Sequence, residues 1–274
     1  MLTLDNHSAC SAAGAAAPPL LDGRCARERA AYDGGSVVAG SCALQARFRH
    51  VFACPNSLQA EEYLDRQVAR LARGRDLLDY GCYDGGMAPR YLNMQPRSLT
   101  GIDLSATGIA LARARFGSRA RFHCGDAHAM PFADESFDLV VGRAILHHLD
   151  WEAALGEVRR VLRPAGSAIF VEPLGDNPAA KLLRRLTPGA RTPDERPLTR
   201  RQIRYGDDLF GASAHRFFNF FSVPAAMAAS LCRATADNRL LRLTDWADRR
   251  LAATPLRYWM RAVVLVWRRD PARH

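Results

Sequence analysis

Two adjacent histidines, His147 and His148, and an acid further along, Glu172, are residue types that can move a proton. Imidazole titrates near neutrality, so either ring can take a proton from a hydroxyl, a phenol or an activated carbon. In an adjacent pair, one ring can equally cap or pack the turn on which it stands. Glu172 is a third candidate base, or a partner for a substrate hydroxyl or an arginine. Arg143 can hold an anionic group or pair with a neighbouring acid. Asp79, Asp103 and Asp126 stand at or just past the ends of short apolar runs, where a carboxylate can accept from a ligand's donors. The seven cysteines include no C-x-x-C pair, so no zinc or other metal site is expected.

The elements that must position these residues are legible as short apolar runs. Asp76–Tyr80 reads as a buried parallel strand and runs into Gly81-Cys82-Tyr83-Asp84-Gly85-Gly86. A glycine-rich turn directly after a strand lets a ligand approach the backbone, and a helix from about Met87 would point free N–H groups at the same crevice. This is the arrangement of a first βα turn that takes a nucleotide-derived cofactor. Leu99–Ser105 reads as a second strand ending in Asp103, which lies 24 residues after Asp79 (103 − 79). Asp103 can accept from ribose hydroxyls or cap the next helix, a role that Ser105 fills equally well. Ala106–Phe116 reads as that helix, Ala120–His123 as strand three, Phe137–Gly142 as strand four and Ser167–Glu172 as strand five. Apolar spacing predicts helices over Ser57–Arg73 and Ala153–Leu162. A last strand is expected at Ala262–Trp267.

The stretch from Asp79 to Gly85 is D-x-G-C-x-x-G, not the nicotinamide fingerprint, because Tyr83 stands where G-x-G-x-x-G needs its second glycine. Four further stretches follow in order: the acid Asp103, Gly125-Asp126-Ala127 with Pro131-Phe132, Leu146-His147-His148-Leu149, and Glu157-Val158-Arg159-Arg160-Val161-Leu162-Arg163-Pro164-Ala165-Gly166. The ordered set resembles the class I S-adenosylmethionine (SAM)-dependent methyltransferases, most closely the UbiE-like or type 11 group. The resemblance covers about Asp76–Pro173. It implies an α/β, Rossmann-like, doubly wound seven-stranded sheet with an antiparallel last strand, an N-terminal lid and a helical cap insertion. It implies SAM as cofactor, held by Asp79, Gly81, Cys82, Gly85, Asp103, Leu104, Asp126, Ala127 and Arg143. Asp126 would accept from the adenine amino group. His147, His148 and Glu172 are the catalytic candidates it implies. Tyr32 and Arg49, with His50, are candidate lid residues. Tyr83 departs from the family, which usually has glycine there.

Outside that core, residues 1–25 read as a flexible tail and 26–274 as one domain, with its core at 57–173 and a C-terminal cap and last strands at 174–274. Phe217 and Phe218, in a dense aromatic run, are candidate substrate contacts or core. Arg184, Arg185, Arg191, Arg196, Arg200, Arg201 and Arg204 form a basic set able to bind carboxylate or phosphate, or to lie in solvent. The reading is a small-molecule methyltransferase, O- or C-directed, of natural-product or quinone and lipid-type metabolism, with an apolar, anionic acceptor. A nucleic-acid methyltransferase and a non-catalytic SAM-binding protein are the alternatives. The net charge of +10 invites nucleic acid, but 37 of the 38 basic residues are arginine and they are spread along the chain. No N-P-P-Y-type motif supports amino-group methylation of a base. No run of 18 apolar residues spans a membrane and no basic leader precedes Ala9–Ala17, so a cytoplasmic location is expected. Peripheral contact with an anionic membrane is a further reading of the arginines.

Overall fold

The computed structural model describes residues 55–178, 195–232 and 237–272, with residues 23, 26, 27, 29, 30, 181, 185 and 235 individually. Tyr32, Arg49, His50, Arg184 and Arg191 lie outside the described residues, as does the tail 1–25 apart from Gly23.

The strands are β1 (Asp76–Tyr80), β2 (Ser98–Asp103), β3 (Arg121–Cys124), β4 (Phe137–Arg143), β5 (Leu162–Pro173), β6 (Gly211–Ser213), β7 (Arg216–Phe218) and β8 (Ala262–Arg269). Their order is β3-β2-β1-β4-β5-β8-β6, with β7 also on β8. β1 to β5 are parallel to their neighbours, and β8 runs antiparallel to β5, β6 and β7. The expected seven positions are therefore present, but eight strands fill them: β6 and β7 share the outer place, one beside each end of β8. β1 feeds β2 on one side, and the chain returns from β3 to β4 on the other. This makes the β1/β4 edge the topological switch point, where such sheets bind ligands at their carboxyl ends.

Helices cover both faces because the central strands are apolar on both. On one face lie α1 (Pro55–Ala72), α2 (Ala88–Leu92) and α3 (Ala106–Phe116). Ala60, Leu64, Val68 and Ala72 recur every fourth residue along α1, and all four are buried in the same core as Leu77, Leu139 and Ile169. On the other face lie α4 (Trp151–Val161) and α5 (Arg200–Phe210), which bury Leu155, Val158, Ile203 and Phe210 with Leu78, Val140 and Phe170. Trp267 of β8 is fully buried there, stacked on Phe210 with ring centroids 5.5 Å apart, and its indole N–H donates to Asp207 Oδ1 at 2.9 Å.

In the C-terminal third, α5 is a sheet-covering layer. Two stretches leave from the carboxyl edge. Residues 195–198 run back along the end of β5, where Leu198 N–H donates to Pro173 O at 2.9 Å and Gly175 N–H to Leu198 O at 2.8 Å. Between β7 and β8 come α6 (Ser222–Leu231) and α7 (Arg239–Leu251). Asp248 of α7 caps α6, accepting from Phe221 N–H at 2.7 Å and from the Ser222 hydroxyl at 2.6 Å. At the opposite, amino edge, Asp76 accepts from the Arg163 guanidinium at 3.0 Å and the Ser98 hydroxyl at 2.8 Å, and also pairs with Arg97.

Candidate active site

The turn after β1 owes its path to Gly81. Its φ of +81° suits glycine, and a Cβ there would stand 2.8 Å from Ile145 Cγ1. Glycine at 81 therefore lets the loop after β4 close onto the loop after β1. Tyr83 also has a positive φ, 44°, a conformation that favours glycine, so the tyrosine is a local cost. Its ring lies against Gly108 in the first turn of α3, where a Cβ would meet Tyr83 Cδ2 at 2.7 Å. The helix expected from Met87 is only the five residues of α2, which carries Pro89 in its first turn.

Three carboxylates line the carboxyl ends of β1, β2 and β3. Asp79 is buried, and its Oδ2 has no hydrogen-bond partner. Burial, with a smaller contribution from the Asp103 charge, pushes its carboxyl up to about 7. Asp103 accepts at both oxygens, from Tyr83 N–H at 2.9 Å and Ser105 N–H at 2.8 Å. Ser105 itself caps α3, its hydroxyl accepting from Gly108 N–H at 3.0 Å. The cap that Asp103 might have formed is thus made by its neighbour.

Asp126 follows β3. His128 Nε2 accepts from Asp150 N–H at 2.9 Å, so the ring proton sits on Nδ1 and is donated to Asp126 Oδ1 at 2.6 Å. One oxygen of Asp126 is thereby held, and Asp150 in turn caps α4 by accepting from Ala153 N–H at 3.0 Å. The Tyr80 hydroxyl donates to Ala127 O at 3.0 Å and fixes the peptide beside Asp126.

The proton-moving candidates meet at the end of β4 and β5. Glu172 is buried at 1% exposure. Its Oε1 accepts from Ile145 N–H at 2.9 Å and Leu146 N–H at 2.8 Å, capping the 3-10 turn Leu146–His148. Its Oε2 lies 2.7 Å from His147 Nδ1. A carboxylate already holding two backbone donors fixes the His147 proton on Nδ1 and leaves Nε2 as the ring's accepting atom. His148 stacks beside His147, with ring centroids 4.1 Å apart, and both are buried. His147 Nε2 faces Glu195 Oε1 at 3.9 Å, and Arg196 N–H donates to His147 O at 2.8 Å.

Other expected residues make contacts within the protein. Arg143 pairs with Glu61 and Asp65 of α1, and its Nε donates to Tyr91 Oη at 3.2 Å. It thus meets nearby acids, while burial pushes its guanidinium down to about 10, still charged at neutrality. Phe217 and Phe218 are buried on opposite faces of β7, against Tyr258 and Tyr63 respectively. They fill the core, as alternating strand residues do. Leu104 O accepts from the Cys124 thiol at 3.7 Å, and burial raises the Cys82 thiol far above its usual range. Among the described residues no cluster suits a metal ion. Glu195 and Asp150 were not visible as site residues, because contact with His147 and His128 depends on chain return. His128 had a signal, lying within the Gly125–Phe132 motif.

The row fits a nucleoside-bearing, cationic ligand: a partnerless buried carboxyl at Asp79, a two-oxygen acceptor at Asp103 and an oriented acceptor at Asp126. Residues 78–170 match a family model described as a methyltransferase domain. Over 113 residues the chain is 30% identical to an O-methyltransferase of Penicillium expansum, covering 39% of this chain and 41% of that protein. Over 103 residues it is 37% identical to a fatty-acid O-methyltransferase of Mycolicibacterium smegmatis, covering 36% of this chain and 37% of that protein. The chain spans about two fifths of the length of these relatives. Among solved structures, the geranyl diphosphate C-methyltransferase of Streptomyces coelicolor shares the fold, with a TM-score of 0.53 at 13% identity over 77% of this chain and 80% of that one. The matched segment, residues 78–170, is thus similar to a methyltransferase domain, and the sheet built around it has the fold of solved methyltransferases.

Proposed function

We propose that the chain is a SAM-dependent methyltransferase acting on a small molecule with an apolar body and an anionic group, methylating oxygen or carbon. The observation that carries this reading is the Glu172–His147 pair at 2.7 Å, on the same sheet edge as Asp79, Asp103 and Asp126. Asp103 would hold the ribose hydroxyls, Asp126 with the Ala127 peptide the adenine edge, and Asp79 the cationic end of the cofactor. When bound, SAM supplies an activated methyl group on a sulfonium. His147 takes the acceptor's proton at Nε2, and Glu172 stabilises the resulting imidazolium through Nδ1–H, as a carboxylate does for a base of this kind. His148 walls the same turn. Apolar, acidic acceptors are supported by the relative named for a fatty acid.

A second reading is a non-catalytic SAM-binding protein. It is favoured by the strap at Glu195–Arg196, which stands over the outer face of His147. Transfer of labelled methyl from SAM to a panel of fatty acids and hydroxylated apolar compounds separates the two. Product formation that falls in His147→Asn supports the enzyme. Cofactor binding with no product from any acceptor supports the second reading.

A further inference from the structure

Among the described residues ten large apolar side chains are exposed, and seven of them lie between 221 and 259. That segment links the end of β7 to the start of β8. Phe218 and Ala262 pair there, and Ala262 in turn pairs with Pro173, next to Glu172. The segment therefore leaves from the sheet edge that carries the site.

Within it, α7 is sided. Leu241 and Asp248 are buried, and the opposite stripe is Arg239, Leu243, Trp246 and Arg250. These four lie within about 60° of one another at 100° per residue. Leu243 is 62% exposed and Trp246 54%, and the Arg250 guanidinium lies over the Trp246 ring at 5.1 Å. Leu240, Trp259 and Phe221 are exposed in the same segment. Residues 219–261 carry seven arginines and three aspartates in the sequence. Asp237 pairs with Arg242, Asp245 with Arg249, and Asp248 is buried as a helix cap.

We propose that the outer face of α7 docks on an anionic lipid bilayer. A helix with a tryptophan and a leucine on one face, bracketed by arginines, lies in the headgroup plane with its ring at the acyl boundary. Arginine heads reach the phosphate and carboxylate groups while their stems cover apolar surface. The charge excess selects an acidic surface, and the apolar middle of the stripe has no use for water. Because the segment leaves from the site's edge, docking there brings that edge to the layer that dissolves apolar acceptors. The proposal deepens the acceptor class proposed above but does not depend on methyl transfer.

The test is co-sedimentation of the full chain with phosphatidylcholine vesicles, with and without about one third phosphatidylserine, at low and high salt. Binding is expected on the acidic vesicles and loss of it at high salt. Arg239→Gln and Arg250→Gln should each weaken binding about fivefold. Leu243→Ser with Trp246→Ser should weaken it at least tenfold on the same vesicles. All four positions are at the surface and outside the site, so calorimetric binding of S-adenosylhomocysteine should be unchanged and reports folding. Absence of vesicle binding, or binding indifferent to both sets of variants, overturns the proposal. So does self-association that Trp246→Ser abolishes, since the face would then belong to a second copy. If vesicle binding responds as expected while no acceptor is methylated, docking stands and the enzyme reading falls.

Discussion

Asp79 offers the sharpest link between burial and ligand binding. Its carboxyl is raised to about 7 by burial and, less, by the Asp103 charge, so it is largely protonated in mildly acidic solution. A ligand that brings a cationic group to the orphaned Oδ2 favours the carboxylate, and binding must then expel the proton. Affinity should therefore rise with pH. With a free value of about 7 and full ionisation in the complex, the competent fraction grows about 25-fold between pH 5.5 and 7.5, or about 1.9 kcal/mol. The unliganded protein should respond in the opposite sense. A carboxyl raised above its ordinary 3.8 contributes stability that is present below that value and is lost as pH rises through about 7. The assay is calorimetric titration with S-adenosylhomocysteine across that pH range, in two buffers of different ionisation enthalpy, for wild type and Asp79→Asn. Wild type should release about half a proton at pH 7, and the variant should show a flat profile. A flat wild-type profile, or an equal slope in Asp79→Asn, refutes the reasoning.

Replacing Glu172 by Gln keeps a carbonyl for the Ile145 and Leu146 N–H groups but presents N–H to His147 Nδ1. Turnover should fall about 10²–10⁴-fold, as for His147→Asn, with calorimetric cofactor affinity retained; unchanged turnover in both would assign the pair to packing. His128→Ala removes the ring donor from Asp126 Oδ1 and keeps the backbone N–H of residue 128, which donates to the same oxygen at 2.8 Å, so preference for adenine over its 6-oxo analogue in S-adenosylhomocysteine should drop by up to about tenfold. A uniform loss for both ligands would make His128 merely structural, and ¹⁵N spectra should show its proton on Nδ1. Asp76, held below the usual carboxylate range chiefly by its Arg97 hydrogen bond, contributes stability above pH 4 that is lost in acid. The melting temperature of Asp76→Asn should lie below wild type at pH 7, and the gap should close as pH falls through 4.

What the sequence revealed were the features governed by local chemistry. The strand Asp76–Tyr80 and the helix Ala106–Phe116 were legible to the residue, since an apolar run bounded by glycines and a serine cap announce themselves. The acids Asp79, Asp103 and Asp126 were legible because each stands at or just past the end of an apolar run. Long-range closure was not legible. Nothing local in Phe217-Phe218 tells a pocket wall from a two-residue strand pinned to Val263 and Ala262. Arg143 was ambiguous for the same reason: its acids, Glu61 and Asp65, come from a helix 78 or more residues earlier in the chain. The split of the outer strand position between β6 and β7 follows from three-residue segments, too short for any period to show.

The account rests on one binding event more than on any other, the seating of a nucleoside ligand with Asp103 on its ribose. Calorimetric titration of S-adenosylhomocysteine into wild type and Asp103→Ala tests it directly. One site per chain is expected in wild type, with a loss of about 1.5–3 kcal/mol in the variant. No binding by wild type, or wild-type affinity in Asp103→Ala, would contradict it.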